Sequence, residues 1–171
     1  MNNEVFELFF AMLSLGTLGF GIIVLFARVI KAKNFLIEVQ KIALPLVALI
    51  TTTAMLGSLY FSEIVNYKPC RLCWYQRSAM YPLAIFLVIA NFKKFKFTKQ
   101  VAFSLASLGG VVATYHWFLE RFPNLDAGVC DVNLPCEFIW FENFGFVTLA
   151  FMAFTAFFTT IVLVTIRTTE E

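Results

Sequence analysis

The sequence predicts an all-α integral membrane protein built from five transmembrane helices, and two observations carry that prediction. The 171 residues are 60% hydrophobic and only 14% charged, whereas a soluble domain of similar size holds roughly a quarter charged residues. The charges also bracket five stretches: Leu8–Ala27, Ile42–Ser62, Leu72–Phe92, Gln100–Leu119 and Asn143–Ile166. Only the third is interrupted, by Arg77. A bilayer is crossed by about 20 apolar residues, so each stretch qualifies as a span. Together they consume most of the chain. That leaves no space for a separate soluble domain, so a soluble partner has to be another polypeptide; no nucleic-acid partner is expected.

The first stretch is preceded by Glu4 and Glu7, where a cleavable signal would carry basic residues, and its apolar run is too long for such a signal. It reads as a true helix. It carries Gly16, Gly19 and Gly21 and nothing ionisable in its middle, and no chemistry is assigned to it. The second stretch places Ala54, Ser58 and Ser62 on one narrow face, and the fourth does the same with Ala102, Ala106, Gly110 and Thr114. These two faces are expected to make a close helix contact. In the third, Pro82 is expected to kink the helix about one turn beyond Arg77. Most of the 22 phenylalanines are accounted for by contact with lipid.

Nine of the thirteen basic residues fall at one side of these spans: Arg28, Lys31, Lys33 and Lys41 around the first connection, Lys93, Lys94, Lys96 and Lys99 around the third, and Arg167 after the last. Cytoplasmic loops are the Lys/Arg-rich ones. The N-terminus is therefore expected outside and the C-terminus in the cytoplasm. Cys70, Cys73, Cys130 and Cys136 then all lie on the extracytoplasmic side, where disulfides persist.

Chemistry concentrates in Pro69-Cys70-Arg71-Leu72-Cys73-Trp74-Tyr75-Gln76-Arg77. A C-x-x-C pair closes and reopens a disulfide readily. Cys73 is expected in the first turn of the third helix, where free backbone N–H groups favour a thiolate, with Arg77 one turn further on the same face. The residues alone also allow a zinc half-site or a structural disulfide. Counting from the cytoplasmic lysines at about 1.5 Å per residue sets Cys73 at roughly 30 Å, the outer surface, and Arg77 and His116 at roughly 24–25 Å. A cation and the chain's one histidine at equal depth beneath the cysteines are costly in an apolar slab and suggest the polar end of a buried pocket. Snorkelling of Arg77 and an interfacial His116 are the plainer alternatives.

The largest connection, Arg121 to Glu142, holds Cys130-Asp131-Val132-Asn133-Leu134-Pro135-Cys136. Its cysteine spacing is wide for half a zinc motif and the loop has no histidine, so a labile disulfide is the better reading. Of the three possible pairings, proximity in sequence favours Cys70–Cys73 with Cys130–Cys136 at rest. Phe138, Trp140 and Phe141 are expected to hold the loop's end on the membrane surface, keeping Cys130 and Cys136 within reach of Cys70.

The C-x-x-C run, followed by Met80-Tyr81-Pro82, resembles the signature of the DsbB/BdbC family of disulfide bond formation proteins, in particular the BdbC branch with its short-spaced second pair. Gly57-Ser58-Leu59-Tyr60-Phe61-Ser62-Glu63, Tyr115-His116 and Pro135-Cys136 extend the resemblance over roughly Leu44 to Ile166. It implies a DsbB-like four-helix bundle over residues 35–171, with 1–34 as an extra N-terminal helix and its connection. It further implies a thiol:quinone oxidoreductase of the bacterial cytoplasmic membrane. Such an enzyme reoxidises a thioredoxin-fold oxidase of the DsbA/BdbD type and passes electrons to ubiquinone or menaquinone. On this resemblance Cys130 meets the partner, Cys136 relays to Cys70, Cys73 meets the quinone, and Arg77 and His116 stand beside it. Two other readings compete with this one. A vitamin K epoxide reductase type of enzyme has its loop pair before the C-x-x-C, whereas here it follows. A metal-handling or assembly protein would use the cysteines structurally.

Overall fold

A computed structural model of the protein describes residues 3–93, 95–126, 128–130 and 135–166. Lys94 and Arg167 of the basic clusters, and residues 131–134 of the cysteine loop, lie outside the described residues. The elements are α1 (Asn3–Val29), α2 (Lys33–Leu59) with a π-helical continuation (Tyr60–Ile64), α3 (Arg71–Phe92), α4 (Thr98–Arg121) and α5 (Leu149–Val164). A single 3-10 turn (Pro123–Leu125) follows α4.

Three of these, α1, the 33–64 segment and α4, are long and apolar enough to cross a bilayer. Helix α3 has 22 residues, roughly 33 Å, which suffices in length, but Arg71, Gln76 and Arg77 make its first turns polar. Helix α5 has only 16 residues, about 24 Å. It starts later than the predicted Asn143, because residues 143–147 close a tight turn joined by an isolated bridge. Gly145 adopts φ +76 there, a conformation that costs glycine little. Thr148 then caps the helix, its Oγ1 accepting from the Phe151 N–H at 3.3 Å. Large apolar side chains face outward all around, among them Phe92 at 83% and Val111 at 70% exposure, as lipid-facing surfaces do. The protein is a multi-pass membrane protein.

Helices α2 to α5 form a ring in which each packs on the next and α5 closes on α2, while α1 lies outside the ring against α5. Leu83, Leu87, Phe157 and Leu163 fill the centre. The close approach on α4 is made not by the predicted face but by Gly109, one residue beside it, and it is made to α5; at Gly110 the nearest atom to a Cβ would be 3.6 Å away. A Cβ at Gly109 would stand 2.2 Å from the Phe157 ring of α5, so the absent side chain is what lets that ring in. The small face of α2 does not meet α4, which lies diagonally across the ring. Ala54 and Ser58 instead line a cavity.

Helix α1 is fastened at both ends. Thr159 Oγ1 donates to the Thr17 carbonyl at 2.9 Å and Arg28 donates to the Thr165 carbonyl at 2.8 Å. At its N-terminal end Glu7 accepts from the Tyr67 hydroxyl at 2.5 Å. Burial, together with that carboxylate, pushes the Tyr67 hydroxyl up to about 12, so it remains a donor. The up-and-down course of the helices collects the connections at 30–32 and 93–97 at one end and all four cysteines at the other.

Candidate redox site

Cys70 is the N-cap of α3, in extended conformation, and its Sγ accepts the Cys73 N–H at 3.3 Å. The C-x-x-C spacing therefore has a structural meaning: the first cysteine caps and the second occupies the third helical position. Their Sγ atoms lie 2.8 Å apart and are unbridged, whereas sequence proximity suggested a resting disulfide. The cap also reverses the expected location of the anion. A thiolate is favoured on Cys70, the residue that the helix terminus addresses, rather than on Cys73. Donation from the Cys73 thiol is the largest influence. With help from His116 it holds the Cys70 thiol down to about 4, against the opposing effect of burial.

His116 stands on the other side of Cys70. Its Nε2 is 3.6 Å from Cys70 Sγ and 3.1 Å from the Cys136 carbonyl oxygen, while Nδ1 is 3.0 Å from Gln76 Nε2. With the amide nitrogen donating to Nδ1, the neutral ring carries its proton on Nε2, directed at the carbonyl and the sulfur. Such a ring supports a thiolate without being charged.

Cys130 and Cys136 are joined in a disulfide with a Cα–Cα distance of 5.7 Å. They share one apolar cluster with Cys70, Leu72 and Leu119. Cys136 is 1% exposed, whereas Cys130 is partly accessible. Several contacts hold the loop over the site. Arg71 Nη1 donates to the Val129 carbonyl at 3.1 Å and Tyr115 donates to the Leu125 carbonyl at 3.0 Å. Trp140 stacks on Tyr67 at 4.8 Å and Phe141 packs on Phe61 at 5.4 Å. Two of the three rings predicted to rest on the membrane surface thus pack against the 61–67 segment, and Phe138 is left exposed.

Arg77 donates to the Ser58 carbonyl at 3.1 Å, and its guanidinium lies 5.4 Å from the Trp74 ring. With Cys73 and Gln76 it lines one end of a cavity of about 730 Å³ among α1, α2, α3 and α5. His116 does not line this cavity; it reaches it through Gln76. A second cavity of about 20 Å³, room for one water, is bordered by Cys70, His116, Glu120 and Thr148. There Thr148 Oγ1 donates to Glu120 Oε2 at 2.6 Å.

Cys70, Cys73 and His116 also offer three metal-ligating atoms within 4.8 Å of one another. Two thiolates on one tetrahedral zinc stand roughly 3.8 Å apart, from Zn–S bonds of about 2.3 Å. The 2.8 Å separation suits S–S chemistry better. Gln76 and Glu120 were missed in the sequence. Gln76 was visible only as a polar residue inside a span, and Glu120 as a carboxylate at the end of one.

A family model described as "Disulfide bond formation protein DsbB" matches residues 40–166. The chain belongs to the DsbB family. Among curated relatives, "Probable disulfide formation protein C" of Halalkalibacterium halodurans is 45% identical over 106 residues, 61% of this chain and 77% of its own. "Disulfide bond formation protein C" of Bacillus subtilis is 42% identical, covering 61% of this chain and 76% of its own. "Probable disulfide formation protein C 2" of Bacillus cereus is 34% identical over 133 residues, 78% of this chain and 96% of its own. No solved structure matches. DsbB family membership supports a role in disulfide formation, and the two cysteine pairs described above are the groups suited to it. Helix α1 lies outside the region that the family model matches.

Proposed function

We propose that the protein is a thiol:quinone oxidoreductase. It reoxidises an extracytoplasmic thioredoxin-fold oxidase of the DsbA/BdbD kind and delivers the electrons to ubiquinone or menaquinone in a bacterial cytoplasmic membrane. One observation carries the reading: Cys70 and Cys73 share an apolar cluster with the loop disulfide, and Cys73 alone of the two also lines the large apolar cavity that Arg77 lines. The cysteine end is extracytoplasmic and the lysine-rich end cytoplasmic, on the charge bias of the connections.

The chain's own steps are thiol exchanges. A thiolate of the reduced partner attacks Cys130, the accessible sulfur, and Cys136 leaves as a thiolate. The partner's second thiol then displaces Cys130, so the partner leaves oxidised and the loop holds two thiols. Cys136 next attacks Cys70 of an oxidised Cys70–Cys73 pair, expelling Cys73, and Cys130 attacks Cys136 to restore the loop disulfide and release Cys70. The two electrons now reside on Cys70 and Cys73 as a thiolate and a thiol. An oxidised loop with an unbridged C-x-x-C is the arrangement expected at that stage. Release of Cys70 as a stabilised anion favours the forward direction, since a good leaving thiolate has a low pKa.

The cavity suits a quinone by its chemistry: a long apolar body with a cation, an amide and a thiol at one end. Arg77 and Gln76 would hold the ring, and the quinone would supply the oxidising power, taking up the two electrons released as Cys70 and Cys73 close, with one proton from the Cys73 thiol and the second from water. His116 holds a proton on Nε2 beside Cys70 throughout.

The test is quinone reduction followed by absorbance after a reduced thioredoxin-fold partner is given to the oxidised protein, with Cys73→Ser alongside. Loss of quinone absorbance that requires Cys73 is the expected result. Stably oxidised cysteines with no quinone reduction, or stoichiometric bound zinc, would overturn the proposal.

A further inference from the structure

We infer that helix α1, although outside the matched family region, is a wall of the acceptor site and binds the polyprenyl tail of the quinone. This rests on the quinone reading above and adds to it a subsite and its residues.

The cavity is much longer than a ring requires. It follows α2 from Ile42 to Phe61, 19 residues or roughly 28 Å, close to the thickness of a hydrocarbon core of about 30 Å. Its cation, amide and thiol lie at the cysteine end. The rest is bounded mostly by apolar side chains, with the hydroxyls of Ser14, Thr17, Thr53 and Thr155 among them, and has the dimensions of a chain rather than a disc.

Helix α1 divides its surface accordingly. Phe10, Leu13, Thr17 and Phe20, at spacings of three and four, form one stripe that lines the cavity. Ala11, Gly21, Val24 and Ala27 are buried residues of the same helix, and a Cβ at Gly21 would meet Thr159 of α5 at 2.8 Å. One part of the helix is thus committed to packing and another to the cavity. The anchors at Glu7, Thr17 and Arg28 keep it in register. Helix α1 touches α2 lightly, and the lining residues Met12, Ile42 and Leu49 are 59%, 53% and 64% exposed. The cavity therefore opens sideways between α1 and α2, towards lipid, where an apolar tail resides. Against four ring helices alone, the same space would be an open groove.

Gly16 offers a clean probe. It lines the cavity, and a Cβ built on it meets nothing within 4 Å. A larger side chain there fills space meant for the tail without colliding with the protein, and leucine favours the helix over glycine. Gly19 is equally open but is not among the lining residues, which makes Gly19→Leu a control for substitution on the same helix.

The experiment is a binding titration of the full chain, read by quenching of tryptophan fluorescence; Trp140 lines the cavity. The probes are menadione, which has no tail, and a polyprenyl menaquinone. The wild type should bind the tailed quinone more tightly. Gly16→Leu should reduce that preference about tenfold, the low end of what a filled apolar pocket does to discrimination, and Gly19→Leu should retain it. A preference unchanged in Gly16→Leu, or an equal loss of both probes, would overturn the assignment to α1. Wild-type protein that binds neither probe would instead bring down the quinone reading itself.

Discussion

The decisive electrostatic feature is the anion at Cys70, and it can be tested without a partner or a quinone. Take the reduced protein in a background with Cys130 and Cys136 replaced by serine, so that only Cys70 and Cys73 absorb as thiolates. An ordinary thiol near 9.0, here lowered to about 4, changes from about 1% to more than 99% thiolate at pH 7, roughly a hundredfold. Ultraviolet thiolate absorbance equivalent to one sulfur should therefore be flat between pH 6 and pH 8. Cys73→Ala removes the foremost donor, so the band should weaken at neutral pH and its midpoint should move up. The direction of linkage follows. A thiol depressed in the folded site stabilises the reduced form, fully above 9.0 and progressively less as pH falls towards about 4. Stabilising the reduced form makes the Cys70–Cys73 pair more oxidising, so that it draws electrons from the loop. Absorbance that rises only near pH 9, with no plateau below, would refute the assignment of the thiolate to the helix cap.

Two further outcomes test other parts of the molecule. Arg77→His shortens the side chain that lines the cavity and donates to the Ser58 carbonyl; it should raise the quinone concentration needed for half-maximal reduction while leaving exchange at Cys130–Cys136 intact, and unchanged turnover at limiting quinone would remove Arg77 from the site. Gly109→Ala forces a methyl to 2.2 Å from the Phe157 ring, whereas at Gly110 the nearest atom is 3.6 Å away; thermal unfolding in detergent should show a loss of about 1–3 kcal/mol for the first and little for the second.

The helices were legible because their causes are local. Spans follow from runs of apolar residues, so four predicted helices match observed ones to within a turn at most boundaries, the starts of α1 and α2 excepted. Helix α5 was mislocated at its start because Asn143–Val147 is as apolar as a helix, and only the turn at Gly145 and the Thr148 cap separate them. The cysteine pairs and Arg77 could be read from spacing, since a C-x-x-C at a helix mouth is itself a local device. Which sulfur carries the anion could not, because that depends on the residue at which α3 starts and on His116, which only the packing of α4 brings to Cys70.

What the sequence determined by itself, then, was an apolar chain of five helices with its thiols gathered at one end. Only the tertiary structure decided that His116 stands against Cys70 while Arg77 lines the cavity, although counting along the helices sets the two at one depth. Depth is counted along one helix, but the side of a cysteine on which a residue falls depends on how α3 and α4 are turned against each other. The same holds for α1. Its sequence carries no chemical group in its middle, and its role arises from packing against α5 at the one place where the ring leaves a long apolar opening.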